Sequence, residues 1–288
     1  MEKDRQIHPL LVSDELINAR GLMVFDNIHQ MPIYHEPYVA PYFTISLNIQ
    51  GWVDAEYDMR PVRFERHDIA IVHAHHALCA HGSSADYHAI LLALSPRLQE
   101  EMKALSPSVL IDFSSYVWQP HFHLTDEQVV NLVHLLQLLK NISQSDIPER
   151  DTVIKHLLRV LAALIRDYRH QNGYEHIPLS PHQELFARFH HAIVKHYRTN
   201  RKVSFYANLF CLTPKHFATV IKQQTGIPAS EWINNYVMIQ AKTLLLYQQR
   251  LTVQQIALRL GFADQATFSR FFKANTGLSP SEYRTSLT

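Results

Sequence analysis

The stretch GFADQATFSRFFKANTGLSPSEYR, Gly261 to Arg284, decides the fold, because its residue order is that of two helices joined by a tight turn and followed by a third. Gly261 closes a short helix in which Val253, Ile256, Ala257 and Leu260 recur at helical spacing, and a glycine there permits a left-handed turn. Asp264 then caps a second helix. Up to Asn275 its large apolar residues, Phe268, Phe271 and Phe272, stand three and four apart, which buries one face and leaves Gln265, Ala266, Thr267, Arg270 and Lys273 outside. Gly277 stops this helix, and Ser279-Pro280-Ser281-Glu282 starts the last one, with proline tolerated in the first turn. The order is that of a helix-turn-helix, and the outer face suits a DNA major groove.

The last third of the chain repeats itself. Phe217, Lys222, Thr225, Gly226, Ser230 and Glu231 recur about 51 residues later as Phe268, Lys273, Thr276, Gly277, Ser281 and Glu282, while upstream of the turn Val203 and Ala207 match Val253 and Ala257 at about 50. Two copies imply a duplicated motif, not a solenoid. In the first copy Thr213 caps and Pro214 starts the second helix, with Phe217, Val220 and Ile221 inward and Lys215, Ala218, Thr219 and Lys222 outward or at the edge. Ser230 to Gln248 reads as a helix linking the copies, and about 20 residues give roughly 30 Å, close to the roughly 34 Å between major grooves one turn apart. One chain can thus set two recognition helices on one face of DNA. Gln265 and Arg270 can bond adenine and guanine edges, whereas Ala218 and Thr219 are less suited to base reading, so the second copy is expected to supply much of the specificity or affinity.

Gly261-Phe262, Asp264, Phe268, Ser269-Arg270, Phe272-Lys273, Gly277, Pro280 and Tyr283-Arg284 fall at the places of the carboxyl-terminal signature of the AraC/XylS family of bacterial transcription regulators. The chain resembles that family from about Leu185 to Arg284. The resemblance implies double-stranded promoter DNA as partner, with base or backbone contacts from Lys215, Ala218, Thr219, Lys222, Gln265, Ala266, Thr267, Arg270 and Lys273. It also implies an amino-terminal cupin-like barrel for a small effector, a homodimer, and RNA polymerase as a further candidate partner. Val237 is a departure, standing where family members often carry Arg in the linking helix.

Charge is sorted along the chain. From His182 to Thr288 there are 13 Lys and Arg against 4 Asp and Glu, a net of +9, whereas Met1 to Pro181 carries 14 against 22, a net of −8. A basic domain is the footprint of a polyanion binder, and its acidic companion is not expected to lie on DNA. With 288 residues, 47% of them hydrophobic, the chain can fill two cores. Cys79 and Cys211 form no cluster, which suits a reducing cytosol. The charged start Met1-Glu2-Lys3-Asp4-Arg5 lacks a following apolar run, and no apolar stretch reaches the roughly 18 residues a span needs, so a cytoplasmic protein with no membrane partner is expected.

Residues up to about Pro41 read as an arm with one or two short strands. Phe43, Ile45, Leu47 and Ile49 alternate with polar residues as in a half-buried strand, Gly51 ends it, and Val53, Ala55 and Tyr57 continue as its antiparallel hairpin partner. Val62 to Phe64, Ile69 to His73 and His88 to Leu94 are further strands, with Gly82-Ser83-Ser84 as a turn and Ser95-Pro96 leading into a helix. Many short strands argue a barrel or double-stranded β-helix. Tyr42, Trp52 and Tyr57 are candidate effector-lining residues that core packing explains equally well. His73, His75, His76, His81 and His88 invite a metal reading, since His pairs one residue apart occur in metal-binding cupins. That pattern also needs a Glu, and none lies between Arg66 and Gln99. No catalytic residue, cofactor or metal is therefore assigned. A metal-dependent cupin enzyme fused to a DNA-binding domain and an effector-independent DNA-binding protein remain as alternatives.

After Pro120 the period lengthens. Val129, Leu132, Val133, Leu136 and Leu139 form a helix stripe behind a Thr125/Gln128 capping box, and a second helix runs from about Pro148 to His170. On it Val153, Leu157, Val160, Leu161, Leu164 and Tyr168 take one side and Ile154, Leu158 and Ile165 flank them, a face broad enough for Leu157, Leu161 and Leu164 to serve a dimer as well. Asn172 to Pro181 has no apolar period, and Ser180, Pro181 and Gln183 open the next helix. The expected fold is α+β: a cupin-like β-barrel with carboxyl-terminal helices over 1–171, a linker over 172–181, and an all-α domain of two helix-turn-helix units over 182–288.

Overall fold

The computed structural model describes residues 14–28, 38–39, 41–105, 119–174, 179–248 and 250–286. Two compact units divide them, one within 14–178 and one from Leu179 onward to which Tyr38 and Val39 also belong; of the expected linker, residues 175–178 lie outside the described residues. Among the described residues no helix is long and apolar enough to cross a membrane.

The first unit opens with helix α1 (Asp14–Arg20) and strand β1 (Leu22–Ile28); next along the chain is the two-residue strand β2 (Tyr38–Val39), which belongs to the second unit. Then come β3 (Phe43–Gln50), β4 (Val53–Tyr57), β5 (Arg60–Phe64), β6 (Asp68–Val72), β7 (Ala77–Ser83), β8 (His88–Leu94), helix α2 (Pro96–Leu105) and β9 (His121–His123). One antiparallel sheet runs β1-β8-β3-β6-β9; in the other, β7, β4 and β5 lie side by side in that order. Two sheets of short strands are the double-sheet form of a cupin-like fold.

The first segment has the two short strands expected of it, and two other strand expectations change. The start of the chain is more than an arm, because β1 pairs with β8, Leu22 opposite Leu94, and buries Leu22 and Val24 in the core; the rest of that segment, 1–13, 29–37 and 40, lies outside the described residues. β3 and β4 are not a hairpin. β3 lies between β6 and β8 while β4 lies between β5 and β7, so Gly51 carries the chain from one sheet to the other. Gly51 has φ +73°, and a β-carbon there would overlap the Ser84 hydroxyl and lie 2.9 Å from the Tyr87 Cα. Period-two alternation tells which side chains are buried but not which strand is the neighbour. Finally, Gly82 and Ser83 belong to β7, where Asp54 opposes Gly82 but Ala55 opposes Ala80, leaving His81 as the extra residue of a bulge.

The hairpin that does form joins β4 and β5 through Asp58 and Met59, with φ +48° and +61°. Two positive φ values in a two-residue loop usually call for Asn-Gly. Here the buried Asp58 carboxylate holds the turn by accepting from Ala77 N at 2.9 Å and pairing with His76 Nδ1 at 2.6 Å.

Helices α3 (Asp126–Ser143), which carries the Thr125/Gln128 capping box, and α4 (Arg150–Gln171) pack against the first sheet and each other. The face of α4 that enters the core is Ile154, Leu158, Leu161, Ile165 and Tyr168. Leu161 is 2% exposed and cannot serve a dimer surface, whereas Val160 is 49% exposed, with Val153, Leu157 and Leu164 half-buried beside it. An almost continuously apolar helix gives no period by which to choose between these faces.

The second unit is helical: α5 (Pro181–His196), α6 (Val203–Leu209), α7 (Pro214–Thr225), α8 (Ala229–Tyr247), α9 (Val253–Arg259), α10 (Gln265–Thr276) and α11 (Pro280–Ser286). In the first half Phe189 packs edge-on against Tyr206 at 5.5 Å and Phe217 at 5.0 Å; in the second Phe272 packs edge-on against Phe268 at 5.8 Å and Tyr283 at 5.2 Å, and Phe268 lies tilted to Phe262 at 5.2 Å. These buried rings help hold such short helices, which are marginal alone.

Candidate nucleic-acid interface

The two recognition helices are built alike. Thr213 accepts from His216 N at the start of α7, and Asp264 Oδ1 accepts from Thr267 N at 2.7 Å at the start of α10, a bond that holds the Asp264 carboxyl below its ordinary pKa. Each helix ends on a left-handed glycine, Gly226 at φ +76° and Gly277 at φ +78°. The threonine before each glycine repeats the same bonds: Thr225 Oγ1 donates to Ile221 O and accepts from Ile227 N, and Thr276 Oγ1 donates to Phe272 O and accepts from Leu278 N. The duplication in the sequence is thus a duplication of hydrogen bonds.

On α7, Phe217, Val220 and Ile221 are buried, Lys215, Thr219 and Lys222 are exposed, and Ala218 is half-buried. On α10, Phe268 and Phe272 are buried and Phe271 half-buried, while Gln265, Ala266, Arg270 and Lys273 are exposed and Thr267 is half-buried. The predicted contact residues therefore form one outward face on each helix. Between them α8, with 19 residues, spans about 28 Å, and Val237 sits in its core-facing side at 0% exposure. A buried valine makes no polar contact with DNA.

Sequence reasoning did not single out the connection between α5 and α6. Arg201, half-buried, donates from Nε to Tyr197 O at 3.1 Å and from Nη2 to Leu260 O at 2.6 Å, and its guanidinium lies 3.9 Å from the Phe262 ring centre. Burial lowers its pKa from the ordinary arginine value.

The helix-turn-helix domain family matches residues 206–286. Over 86 residues the chain is 38% identical to the arabinose operon regulatory protein of Escherichia coli, a match that covers 30% of this chain and 29% of that protein. The carboxyl-terminal domain is a helix-turn-helix domain similar to that of AraC-family regulators. Over 231 residues, 78% of each chain, the chain is 22% identical to the HTH-type transcriptional activator RhaR of Shigella flexneri. The crystal structure of ToxT from Vibrio cholerae covers 93% of this chain and 99% of its own at 13% identity with a TM-score of 0.51, a likeness of fold.

In the first unit the predicted effector residues are scattered in role. Tyr42 and Tyr57 are 1% exposed, Tyr57 stacks on His76 at 5.4 Å, and Trp52 carries the Arg63 guanidinium 4.1 Å from its ring centre. The histidines also diverge: the His73 and His76 rings lie 5.7 Å apart, but His81 turns to Glu56 and His88 to the Asp26 carbonyl. A second group went unnoticed in the sequence, because it depends on β9 pairing with β6. There His123 meets Asp68 at 3.0 Å, His121 at 3.9 Å, and burial pushes the His121 pKa down. A cleft of about 70 Å³ opens between α1, α2 and α4, bordered by Arg20, Arg97, Arg150 and Lys155.

Proposed function

We propose that the chain is a sequence-specific, DNA-binding transcription regulator without catalytic activity, whose carboxyl-terminal domain lays α7 and α10 in successive major grooves of promoter DNA. The observation that carries this reading is the pair of matched helices, each with a buried aromatic side and an outer face of Lys, Thr, Gln and Arg, in a domain of net charge +9 from His182 on. Lys215, Lys222 and Lys273 supply phosphate attraction and Gln265 and Arg270 supply base reading. Selection of duplexes from a random pool by the full chain, followed by footprinting, is expected to give one preferred sequence with two protected segments one helical turn apart. Binding that prefers no sequence by orders of magnitude would eliminate a specific regulator.

The amino-terminal unit is proposed to sense a small molecule and to dimerise. For the dimer, Val153, Leu157, Val160 and Leu164 of α4 recur at spacings of four, three and four, the seam of paired helices. Val160→Glu is expected to convert a dimer to a monomer by analytical ultracentrifugation with the melting temperature nearly unchanged. A dimer that survives Val160→Glu places the interface elsewhere.

A further inference from the structure

We propose that Arg201 is a positioning residue that clasps the two helix-turn-helix units to each other, so that α7 and α10 stand at one separation and the domain accepts its two DNA segments at one spacing only. The proposal rests on the DNA-binding reading above.

The duplicated motif differs from itself at one informative place. The turn after α6 is Phe210-Cys211-Leu212 and the turn after α9 is Leu260-Gly261-Phe262. Their backbones agree: Leu212 N donates to Ala207 O at 3.0 Å and Phe262 N to Ala257 O at 2.9 Å, and the middle residue is left-handed in both, Cys211 at φ +56° and Gly261 at φ +79°. The conformation therefore tolerates a side chain, as the exposed Cys211 demonstrates. What demands glycine at 261 is the neighbour. A β-carbon there would overlap the Arg198 carbonyl oxygen and lie 2.6 Å from its carbon and 2.8 Å from Arg198 Cα. The chain between α5 and α6 of the first unit is thus pressed against the turn of the second.

Arg201, three residues on, fastens that approach. Its Nε bonds Tyr197 O within its own unit while Nη2 bonds Leu260 O of the other, and its planar face covers Phe262. Leu260 O lies at the carboxyl end of α9, where the helix dipole favours a cation. Only a forked, planar side chain can hold both carbonyls and the ring together; a lysine would hold one. Another tie between the units is α8, which packs on α7 and α10; a second tie at a different point restricts rotation of one unit against the other about that helix. One added base pair moves a groove about 3.4 Å along the axis and rotates it by a tenth of a turn, a change that a hinged pair could follow and a clasped pair cannot.

Two measurements on the full chain test this. Nitroxide labels at Gln223→Cys and Ala274→Cys, exposed equivalent positions of α7 and α10, in a Cys211→Ser background, report the separation without DNA; Cys79 is buried. Pulsed electron resonance is expected to give a narrow distance distribution that broadens at least twofold with Arg201→Ala and less with Arg201→Lys. An unchanged width overturns the clasp. The second measurement is affinity for duplexes whose two segments are moved by one or two base pairs either way. The parent should lose at least tenfold per step, whereas Arg201→Ala should bind the native spacing about tenfold more weakly and the shifted ones within threefold of it. Equal loss at every spacing makes Arg201 an ordinary stabilising residue and overturns the proposal. A parent indifferent to spacing overturns the two-segment DNA reading instead, and the label distances then still decide the clasp.

Discussion

Gly261→Ala is expected to destabilise the second helix-turn-helix unit by about 3 kcal/mol or more, whereas Cys211→Gly, the matched change in the first unit, should alter stability by less than about 1 kcal/mol. The difference has two parts. A non-glycine residue in the left-handed region costs about 1–2 kcal/mol, and Cys211 already bears that cost, so relieving it is offset by the greater backbone freedom of glycine in the unfolded chain. At 261 the added methyl also meets main-chain atoms of Arg198, which cannot swing aside as a side-chain tip could; the clash and the loss of the Arg201 to Leu260 bond make up the rest. Hydrogen exchange of the α9 and α10 amides in the full chain reads the opening free energy of that unit directly. Similar small effects from both substitutions would mean that the approach of Arg198 relaxes at little cost, and with it the reason for glycine at 261 would fall.

The helical half was legible because its signals are local. Ser180 with Gln183 and Asp264 with Thr267 cap helices within three residues, and Gly226 and Gly277 end them, so a reader needs only a short window. The outward face of α10 follows from Phe268 and Phe272 alone. The sheets were legible only in part. Alternation located β3 and β4 but not their partners, since pairing depends on contacts such as Thr44 opposite Val72 and Ala93 that no short window contains. On α4 eight large apolar residues from Val153 to Ile165 surround most of the helix, and burial in the sheet's core, not period, chooses Leu161 over Val160. The Arg201 contact spans 59 residues and left one trace, a cysteine in one copy where the other has glycine.

The last expected result separates base reading from backbone binding on α10, where Arg270 and Lys273 carry the same charge nearly a turn apart. Both are exposed; Arg270 Nη2 donates to Thr267 Oγ1 at 3.5 Å, and Lys273 lies in the last turn. Thr267 and Arg270 follow the Asp264 cap on the first turns of the helix, the part that enters a major groove most deeply in this class of motif. A guanidinium there can bond guanine O6 and N7 together, a pairing that carries about 1–3 kcal/mol of discrimination, whereas a lysine near the helix end is a point charge suited to phosphate. Arg270→Ala should therefore weaken the preferred duplex by about ten- to a hundredfold and scrambled DNA far less. Lys273→Ala should weaken both alike and lower the salt slope by about one unit. Titrations at several salt concentrations on both duplexes distinguish the roles: equal losses on the two duplexes for Arg270→Ala would make that arginine a phosphate clamp and move base reading to Gln265 or to the first unit.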